Sequence, residues 1–191
     1  MSDQSVRLFL GIGIPEDRLE ALGRSIAPVR DELRGARWVA VENQHVTIKF
    51  LGRTAAALVD DVVGAARAAA SGHEAWTTAL THLGAFPNLR RARVLWAALD
   101  DDQGAMAGLA ARVDERTEPL GFESEKRAFT PHLTIARFKV PGSLPSLPEL
   151  EGAAREPFGV DELRLYQSHL SPRGARYEIL ERFPLGGDDG T

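Results

Sequence analysis

The chain has 191 residues, a net charge of −4 and 43% hydrophobic residues, and its pI is near 5.8. These values are typical of an ordinary globular protein, and they argue against a protein that binds long nucleic acids through a basic face. The absence of cysteine excludes a disulfide scaffold, a zinc–thiolate site and a cysteine nucleophile. We find no signal-peptide pattern and no run of roughly 20 apolar residues, so we expect a cytoplasmic protein without a membrane span.

Hydrophobic spacing predicts alternating strands and helices along the chain. Apolar residues that recur every three to four positions predict three helices, the first of which Pro28 should bend or end. The acidic run at 100–102 should begin the third helix, because carboxylates favour the positive end of the helix dipole. In chain order the predicted elements are strand 6–13, helix 15–33, strands 37–40 and 45–51, helix 55–70, strands 75–83 and 92–99, helix 100–120, a segment 122–138 that carries a strand, and strands 160–170 and 175–183.

This order of elements predicts an α+β fold with two similar lobes, each a mainly antiparallel sheet backed by helices. No linker is long enough to make the lobes independent. We therefore predict a single bilobal domain over residues 1–185, followed by a flexible tail over 186–191.

One short motif occurs in each half of the chain, as His45-Val46-Thr47-Ile48 and as His132-Leu133-Thr134-Ile135. On a regular strand alternate side chains share a face, so each copy presents a His/Thr side and an apolar side. The first His/Thr side should also carry Lys49, which adds a charge beside the site, whereas Phe50 should lie on the opposite side. Arg137 should likewise point away from His132, unless a β-bulge turns it toward the substrate.

The two histidines and two threonines suit chemistry at a phosphate. Two such strands facing each other across a cleft would place one imidazole on either side of a phosphorus atom, as an in-line displacement requires. One imidazole would activate the attacking oxygen and the other would protonate the leaving oxygen. The threonine hydroxyls would donate hydrogen bonds to the phosphoryl oxygens. A single His-x-Thr is usually structural, but its repetition favours a catalytic pair.

The paired motifs resemble those of the 2H phosphoesterase superfamily and, within it, of the RNA 2′,3′-cyclic phosphodiesterases, also called 2′-5′ RNA ligases. The resemblance extends over roughly residues 6–185. Other segments that carry it are Arg7–Ile12, Arg37–Val39 with Glu42-Asn43, Gly84–Pro87, Arg93–Trp96, Tyr166–Leu170 and Gly174–Glu178.

The resemblance implies a pseudo-twofold arrangement with the active site in a cleft between the lobes. It implies hydrolysis of RNA 2′,3′-cyclic phosphate ends to 2′-phosphomonoesters without a metal or cofactor, and possible reverse 2′-5′ ligation. It makes His45 the proton donor to the leaving 3′ oxygen and His132 the proton acceptor from water, while Thr47 and Thr134 hold the phosphate. The residues alone leave the two histidines equivalent. The expected partner is an RNA terminus, such as that of a tRNA fragment, and we expect a monomer.

Several further residues are candidate substrate contacts. Aromatic rings often hold terminal RNA bases by stacking, and arginines bind phosphates. The basic loop Arg90–Arg93 and the pair Lys126-Arg127 are expected to be solvated, although either could contact a phosphate backbone. The candidates are Arg137, Phe50, Phe129, Tyr166 and Ser168.

Three alternative functions stay open at this point. The substrate could be a small cyclic nucleotide or an ADP-ribose cyclic phosphate. The histidines could ligate a metal, although no carboxylate accompanies both copies and metal sites usually have three or more protein ligands. The protein could also be a non-catalytic module that binds RNA ends, but binding alone does not require two proton-transfer groups.

Overall fold

A computed structural model describes residues 5–171 and 174–186 of the chain. Within these ranges it has three α-helices and ten strands. In chain order they are β1 (Ser5–Gly13), α1 (Glu16–Arg30), β2 (Ala36–Trp38), β3 (His45–Ala55), α2 (Val59–Ser71), β4 (Trp76–Thr78), β5 (Leu80–Phe86), β6 (Ala92–Leu99), α3 (Ala105–Thr117), β7 (His132–Gly142), β8 (Phe158–Val160), β9 (Glu162–Ser171) and β10 (Gly174–Pro184).

Eight strands form one antiparallel sheet in the order β10-β9-β1-β3-β7-β6-β5, and β2 also pairs with β7. The two halves of the sheet meet at β3 and β7, the strands that carry the two motifs. These strands pair only at Val46 and Leu133, and beyond that point β2 takes over as the neighbour of β7. The halves therefore diverge beside the motifs. The predicted α+β fold of mainly antiparallel sheet backed by helices is confirmed.

The core lies on the face of the sheet that the helices cover. On β1, Leu8, Leu10 and Ile12 are completely buried on this face, whereas Phe9 and Gly11 point to the opposite face. Helices α2 and α3 pack on each other and against β3, β9 and β10, and α1 packs against the short helical turn at Gly152–Arg155. The helices thus cover one face and leave the other free for a site.

Some element boundaries differ from those predicted. The segment 75–83 is divided into β4 and β5, because β4 pairs with β8 in a separate two-stranded sheet. Helix α3 begins at Ala105 and not at the acidic run, although the Asp101 carboxylate accepts hydrogen bonds from the backbone N–H groups of Met106 and Ala107. The acidic run therefore caps the helix from the preceding turn.

The predicted tail over 186–191 lies outside the described residues except for Gly186, and the assignment of residues 1–185 to a single domain stays a prediction. Within residues 5–171 and 174–186, every helix is too short or too polar to cross a membrane.

Candidate active site

The two motifs occupy equivalent positions on β3 and β7, and each strand contains an extra residue directly after its threonine. In the β1–β3 ladder Gly11 pairs with Thr47 and Leu10 with Lys49, which leaves Ile48 unpaired. In the β6–β7 ladder Trp96 pairs with Thr134 and Leu95 with Ala136, which leaves Ile135 unpaired. A bulge of this kind reverses the alternation of side chains beyond it.

The bulges correct two predicted orientations. Lys49 lies opposite the buried Leu10, so it points to the core face and not toward His45; it is only 7% exposed and pairs with Asp114 of α3. Phe50 lies opposite Phe9 on the free face and is 59% exposed, although alternation had placed it on the core side.

The bulge in β7 turns Arg137 to the free face. Ala136 lies opposite the buried Leu95, whereas Arg137 lies one position further along the ladder, opposite Val94. Its side chain is exposed. Arg137 and Phe50 therefore hold equivalent positions in the two halves, each three residues beyond its motif threonine and on the face of the motif histidines.

Each motif histidine is held by a main-chain carbonyl two residues before it. The Nδ1–H of His45 donates to the carbonyl oxygen of Asn43, and the Nδ1–H of His132 donates to that of Thr130, both at 2.8 Å. With a proton on Nδ1, the Nε2 atom of a neutral ring is an acceptor. In His45 this atom accepts a hydrogen bond from the Thr47 hydroxyl at 2.9 Å.

One small cavity brings the four motif residues together. Its walls also include residues from the segment before β3 and from β10, which the motifs did not indicate. The residues that line it are His45, Thr47, His132, Thr134, Val39, Asn43 and Tyr177.

Aromatic rings enclose His45 more completely than His132. The His45 imidazole stacks on Phe9 with ring centroids 4.6 Å apart and meets the edge of Tyr177 at 5.2 Å. His132 meets Phe86 edge-on at 5.1 Å. The pKa of His45 is lowered from 6.5 to about 4, mainly by burial and to a smaller extent by the charges of Arg137 and His132, although the Asn43 hydrogen bond opposes this shift. His45 is therefore neutral in the unliganded protein near pH 7.

This lowered pKa should make folding stability depend on pH. Below pH 6.5 the unfolded chain protonates His45, whereas the folded protein does so only near pH 4, so stability should fall as the pH decreases through this window. The loss at pH 4 should be on the order of 3 kcal/mol. Urea unfolding at pH 7 and pH 4 gives the loss of stability for the wild type and for His45→Gln. The extra loss in the wild type is the contribution of His45. Equal losses in both would contradict the prediction.

Two glycines allow rings to approach the site closely. A Cβ on Gly11 would lie 2.7 Å from the carbonyl oxygen of Val46 and 3.4 Å from the His45 ring. A Cβ on Gly84 would lie 2.4 Å from the Trp96 ring, whose centroid is 6.4 Å from that of His132. A side chain at Gly84 would displace the Trp96 ring, and one at Gly11 would displace the β3 backbone at Val46, next to His45.

Asn43 connects the first motif to β10. Its side-chain amide donates to the carbonyl of Ala175 at 2.9 Å, its side-chain oxygen accepts from the N–H of Tyr177 at 3.2 Å, and its own carbonyl holds His45. One residue therefore positions both the imidazole and the tyrosine that lines the cavity. From the sequence, Asn43 and Tyr177 stood out only within segments that carry the family resemblance and were not predicted to line the site, because both contacts depend on the position of β10 in the sheet.

Asn43→Ala should reduce both turnover and stability. The substitution removes two hydrogen bonds to β10 and leaves their backbone partners unsatisfied, which should cost about 1–3 kcal/mol of unfolding free energy. Because the carbonyl that holds His45 then loses its anchor, kcat should fall more than KM changes. Asn43→Asp retains the bond from the Tyr177 N–H and should lose less stability. Unfolding and steady-state kinetics measured together test this, and an unchanged kcat would contradict it.

The other predicted contacts are placed differently around the cavity. Tyr166 is 6% exposed and its ring stacks on Phe9 at 4.8 Å, so it supports His45 and does not offer an open face for a base. Ser168 lies on β9 opposite Tyr177. Phe129 is half-buried and lines a groove that also contains His132. Phe50 is therefore the most open aromatic ring among the candidates.

Two larger depressions adjoin the cavity. A recess of about 410 Å³ extends from His45 along Gly13, Arg164 and Tyr177. A groove of about 1030 Å³ extends from Thr47 and His132 past the segment 123–130 toward α3. In residues 5–171 and 174–186, no cluster of three or more His, Cys, Asp or Glu side chains is arranged to hold a metal ion.

Comparison with known proteins gives the family. The chain matches the model of the 2′-5′ RNA ligase superfamily over residues 15–172. It is 30% identical over 182 residues to a Methanocaldococcus jannaschii protein named RNA 2′,3′-cyclic phosphodiesterase, with 93% of this chain and 100% of that protein covered. A Geobacillus stearothermophilus protein of the same name is 31% identical over 186 residues; the match covers 95% of this chain but 58% of that relative.

A solved structure agrees with this assignment. The crystal structure of a Thermus thermophilus protein matches with a TM-score of 0.82 at 28% identity, covering 95% of this chain and 99% of that one. The chain therefore belongs to the 2′-5′ RNA ligase superfamily. The resemblance predicted from the two His-x-Thr motifs is confirmed, and with it the prediction of an enzyme of the phosphodiesterase class.

Proposed function

We propose that the protein hydrolyses RNA 2′,3′-cyclic phosphate ends and that His45 and His132 are its acid–base pair. The observation that carries this proposal is the paired arrangement of two His-x-Thr strands around one cavity, with each imidazole oriented by a carbonyl two residues earlier. Relatives about 30% identical over nearly the whole chain, named for this activity, support the substrate class.

In the proposed reaction a water molecule attacks phosphorus, the bond from phosphorus to O3′ breaks, and the phosphate stays on O2′. His132 accepts the proton of the water through Nε2, and His45 donates a proton from Nε2 to O3′. Each of these transfers should contribute about 10²–10⁴-fold to the rate. The hydroxyls of Thr47 and Thr134 donate to the non-bridging oxygens and stabilise the charge that develops there.

The donor role requires a protonated His45, whereas its pKa of about 4 keeps it neutral in the unliganded protein. A phosphate anion beside an imidazole favours the charged form. We therefore propose that substrate binding raises the pKa of His45, so that the imidazole carries the proton that it donates. The Thr47 hydroxyl, which donates to Nε2 in the unliganded protein, would then turn to a phosphoryl oxygen.

The pH dependence of kcat/KM and of kcat should show this rise in the pKa of His45. The profile of kcat/KM reports the free enzyme, so it should bend near pH 4, above which free His45 loses the proton that its donor role requires. The profile of kcat reports the complex and should be bell-shaped, with the bend that belongs to His45 at higher pH. Initial rates between pH 3.5 and 9 on an RNA cyclic phosphate provide both. A His45 bend at the same pH in both profiles would contradict the rise in its pKa on substrate binding.

We also propose that the same groups join a 5′-hydroxyl end to the cyclic phosphate through a 2′-5′ linkage, with the 5′-hydroxyl replacing water as the nucleophile. The bond from phosphorus to O3′ breaks as in hydrolysis, His132 accepts the proton of the 5′-hydroxyl, and His45 donates a proton to O3′. The groove of about 1030 Å³ beside His132 has room for a nucleoside at the position of the attacking oxygen.

The direct test is phosphorus NMR of a short RNA that ends in a 2′,3′-cyclic phosphate, incubated with the enzyme and a chelator. We expect conversion to a 2′-monoester. A 3′-monoester would reverse the assigned leaving group and the roles of the two histidines. Activity that appears only with a divalent metal would favour the metallohydrolase alternative, and no conversion at all would favour another cyclic phosphate or a binding module.

A further inference from the structure

Two arginines face each other beside the cavity. Arg37 of β2 lies directly opposite Arg137 of β7 in the antiparallel ladder, and residues in that position point to the same face of a sheet. This is the face of the active site, because Val39, two residues after Arg37 on the same side of the backbone, lines the cavity. Both arginine side chains are exposed.

Neither guanidinium has an ion-pair partner among residues 5–171 and 174–186. Like charges directly opposite in a ladder destabilise it. The unliganded sheet therefore carries an uncompensated positive pair, and an anion between the two groups would relieve the repulsion. Arg137 also contributes to the lowered pKa of His45, so it lies within electrostatic range of the catalytic centre.

The two halves of the site differ at this position. Phe50, the equivalent of Arg137 in the first half, stacks parallel to Phe9 with ring centroids 5.9 Å apart. The bulge after each threonine thus presents an aromatic ring on one side of the cavity and a guanidinium on the other. The pseudo-symmetric catalytic groups are flanked by one wall suited to a base and another suited to a phosphate.

We propose that Arg37 and Arg137 together bind the phosphodiester on the 5′ side of the terminal nucleotide, so that the enzyme prefers an RNA end to a cyclic mononucleotide. This inference rests on the proposed function. Two planar guanidinium groups match the oxygens of a phosphate in a bidentate geometry. An RNA end with a cyclic phosphate has only one other phosphate next to its terminal ribose, and that phosphate lies on the 5′ side.

The spacing along β7 agrees with a second phosphate. Arg137 lies two ladder positions beyond Thr134, which corresponds to roughly 7 Å along the strand. A phosphate bound level with Arg137 would be displaced along the strand from the phosphorus between His45 and His132. It is at a distance that a single ribose can span between neighbouring phosphates.

The experiment compares uridine 2′,3′-cyclic phosphate, which has no 5′ phosphate, with the dinucleotide UpU ending in a 2′,3′-cyclic phosphate. The measured quantity is the preference, the ratio of kcat/KM for the dinucleotide to kcat/KM for the mononucleotide. Arg37→Gln should reduce this preference about tenfold, the usual effect of removing a charge-assisted hydrogen bond. Arg37→Lys keeps the positive charge but loses the bidentate geometry of the guanidinium, so it should retain part of the preference.

Arg24→Gln is the matched control, because Arg24 is an exposed arginine of α1, a helix on the core face. It should leave the preference unchanged. Arg37→Gln should also unfold at the same temperature as the wild type or higher, since it removes a repulsion, and this excludes misfolding as the cause. An unchanged preference in a folded Arg37→Gln variant would overturn the inference. A wild type that converts neither substrate would overturn the proposed function itself.

Discussion

Replacing His132 by alanine should lower kcat on an RNA 2′,3′-cyclic phosphate by about 10²–10⁴-fold, because it removes one positioned proton transfer. His45→Ala should have an effect of the same order. The dissociation constant of the RNA should change far less, since the threonines and the arginine pair remain. Single-turnover kinetics together with a separate binding assay distinguish the two effects.

The double variant gives the sharper result. Residues that act as a unit are strongly non-additive, so His45→Ala/His132→Ala should be only slightly slower than the worse single variant. His73→Ala is the matched control, because His73 lies in the turn after α2 and packs on Trp76. Single variants that retain most of the wild-type kcat would contradict the two-histidine mechanism, even if RNA binding were intact.

Replacing Asp114 by alanine should lower the free energy of unfolding by about 3 kcal/mol, because it leaves a buried ammonium without its counter-charge. The Lys49 side chain is 6% exposed, and its ammonium contacts Asp114 and donates to the carbonyl of Glu123 at 2.8 Å. The other Asp114 oxygen accepts from the backbone N–H of Glu125 at 3.1 Å. The carboxylate thus connects β3 to the segment that leads to His132, and chemical unfolding measures its loss.

A charge-free replacement tests the cause. Lys49→Met/Asp114→Leu removes both charges and should recover much of the stability lost in Asp114→Ala, since apolar residues often replace a buried ion pair without a net cost. The control is Glu20→Ala in the exposed pair between Glu20 and Arg24, which should change stability by less than about 1 kcal/mol. A double variant as unstable as Asp114→Ala would contradict the buried-charge argument.

Local patterns in the sequence predicted most of the elements. Apolar periodicity indicated β1, the three helices and the strands that carry both motifs, because burial of one face imposes a period on the residues themselves. The division of 75–83 into β4 and β5 was not predictable in this way. It depends on β8, a strand of three residues that begins 80 positions after the end of β4, counting from Thr78 to Phe158.

Side-chain orientation beyond each threonine also required the tertiary structure. Strict alternation placed Lys49 beside His45 and Phe50 in the core, and it turned Arg137 away, but the bulges at Ile48 and Ile135 reverse all three. A bulge is defined by the register against the partner strand, so the sequence of the bulged strand alone does not show it. The sequence allowed for a bulge that would reorient Arg137, but it did not show where the bulge would lie.

The sequence by itself determined that two His-x-Thr strands exist and which side of each carries the polar groups at the motif, because a period of two is a property of the local backbone. The tertiary structure alone decided that the two strands meet around one cavity and that Asn43 and Tyr177 join them there. It also decided that Arg37 lies opposite Arg137. These contacts join residues far apart in the chain, and the register and order of the whole sheet set them.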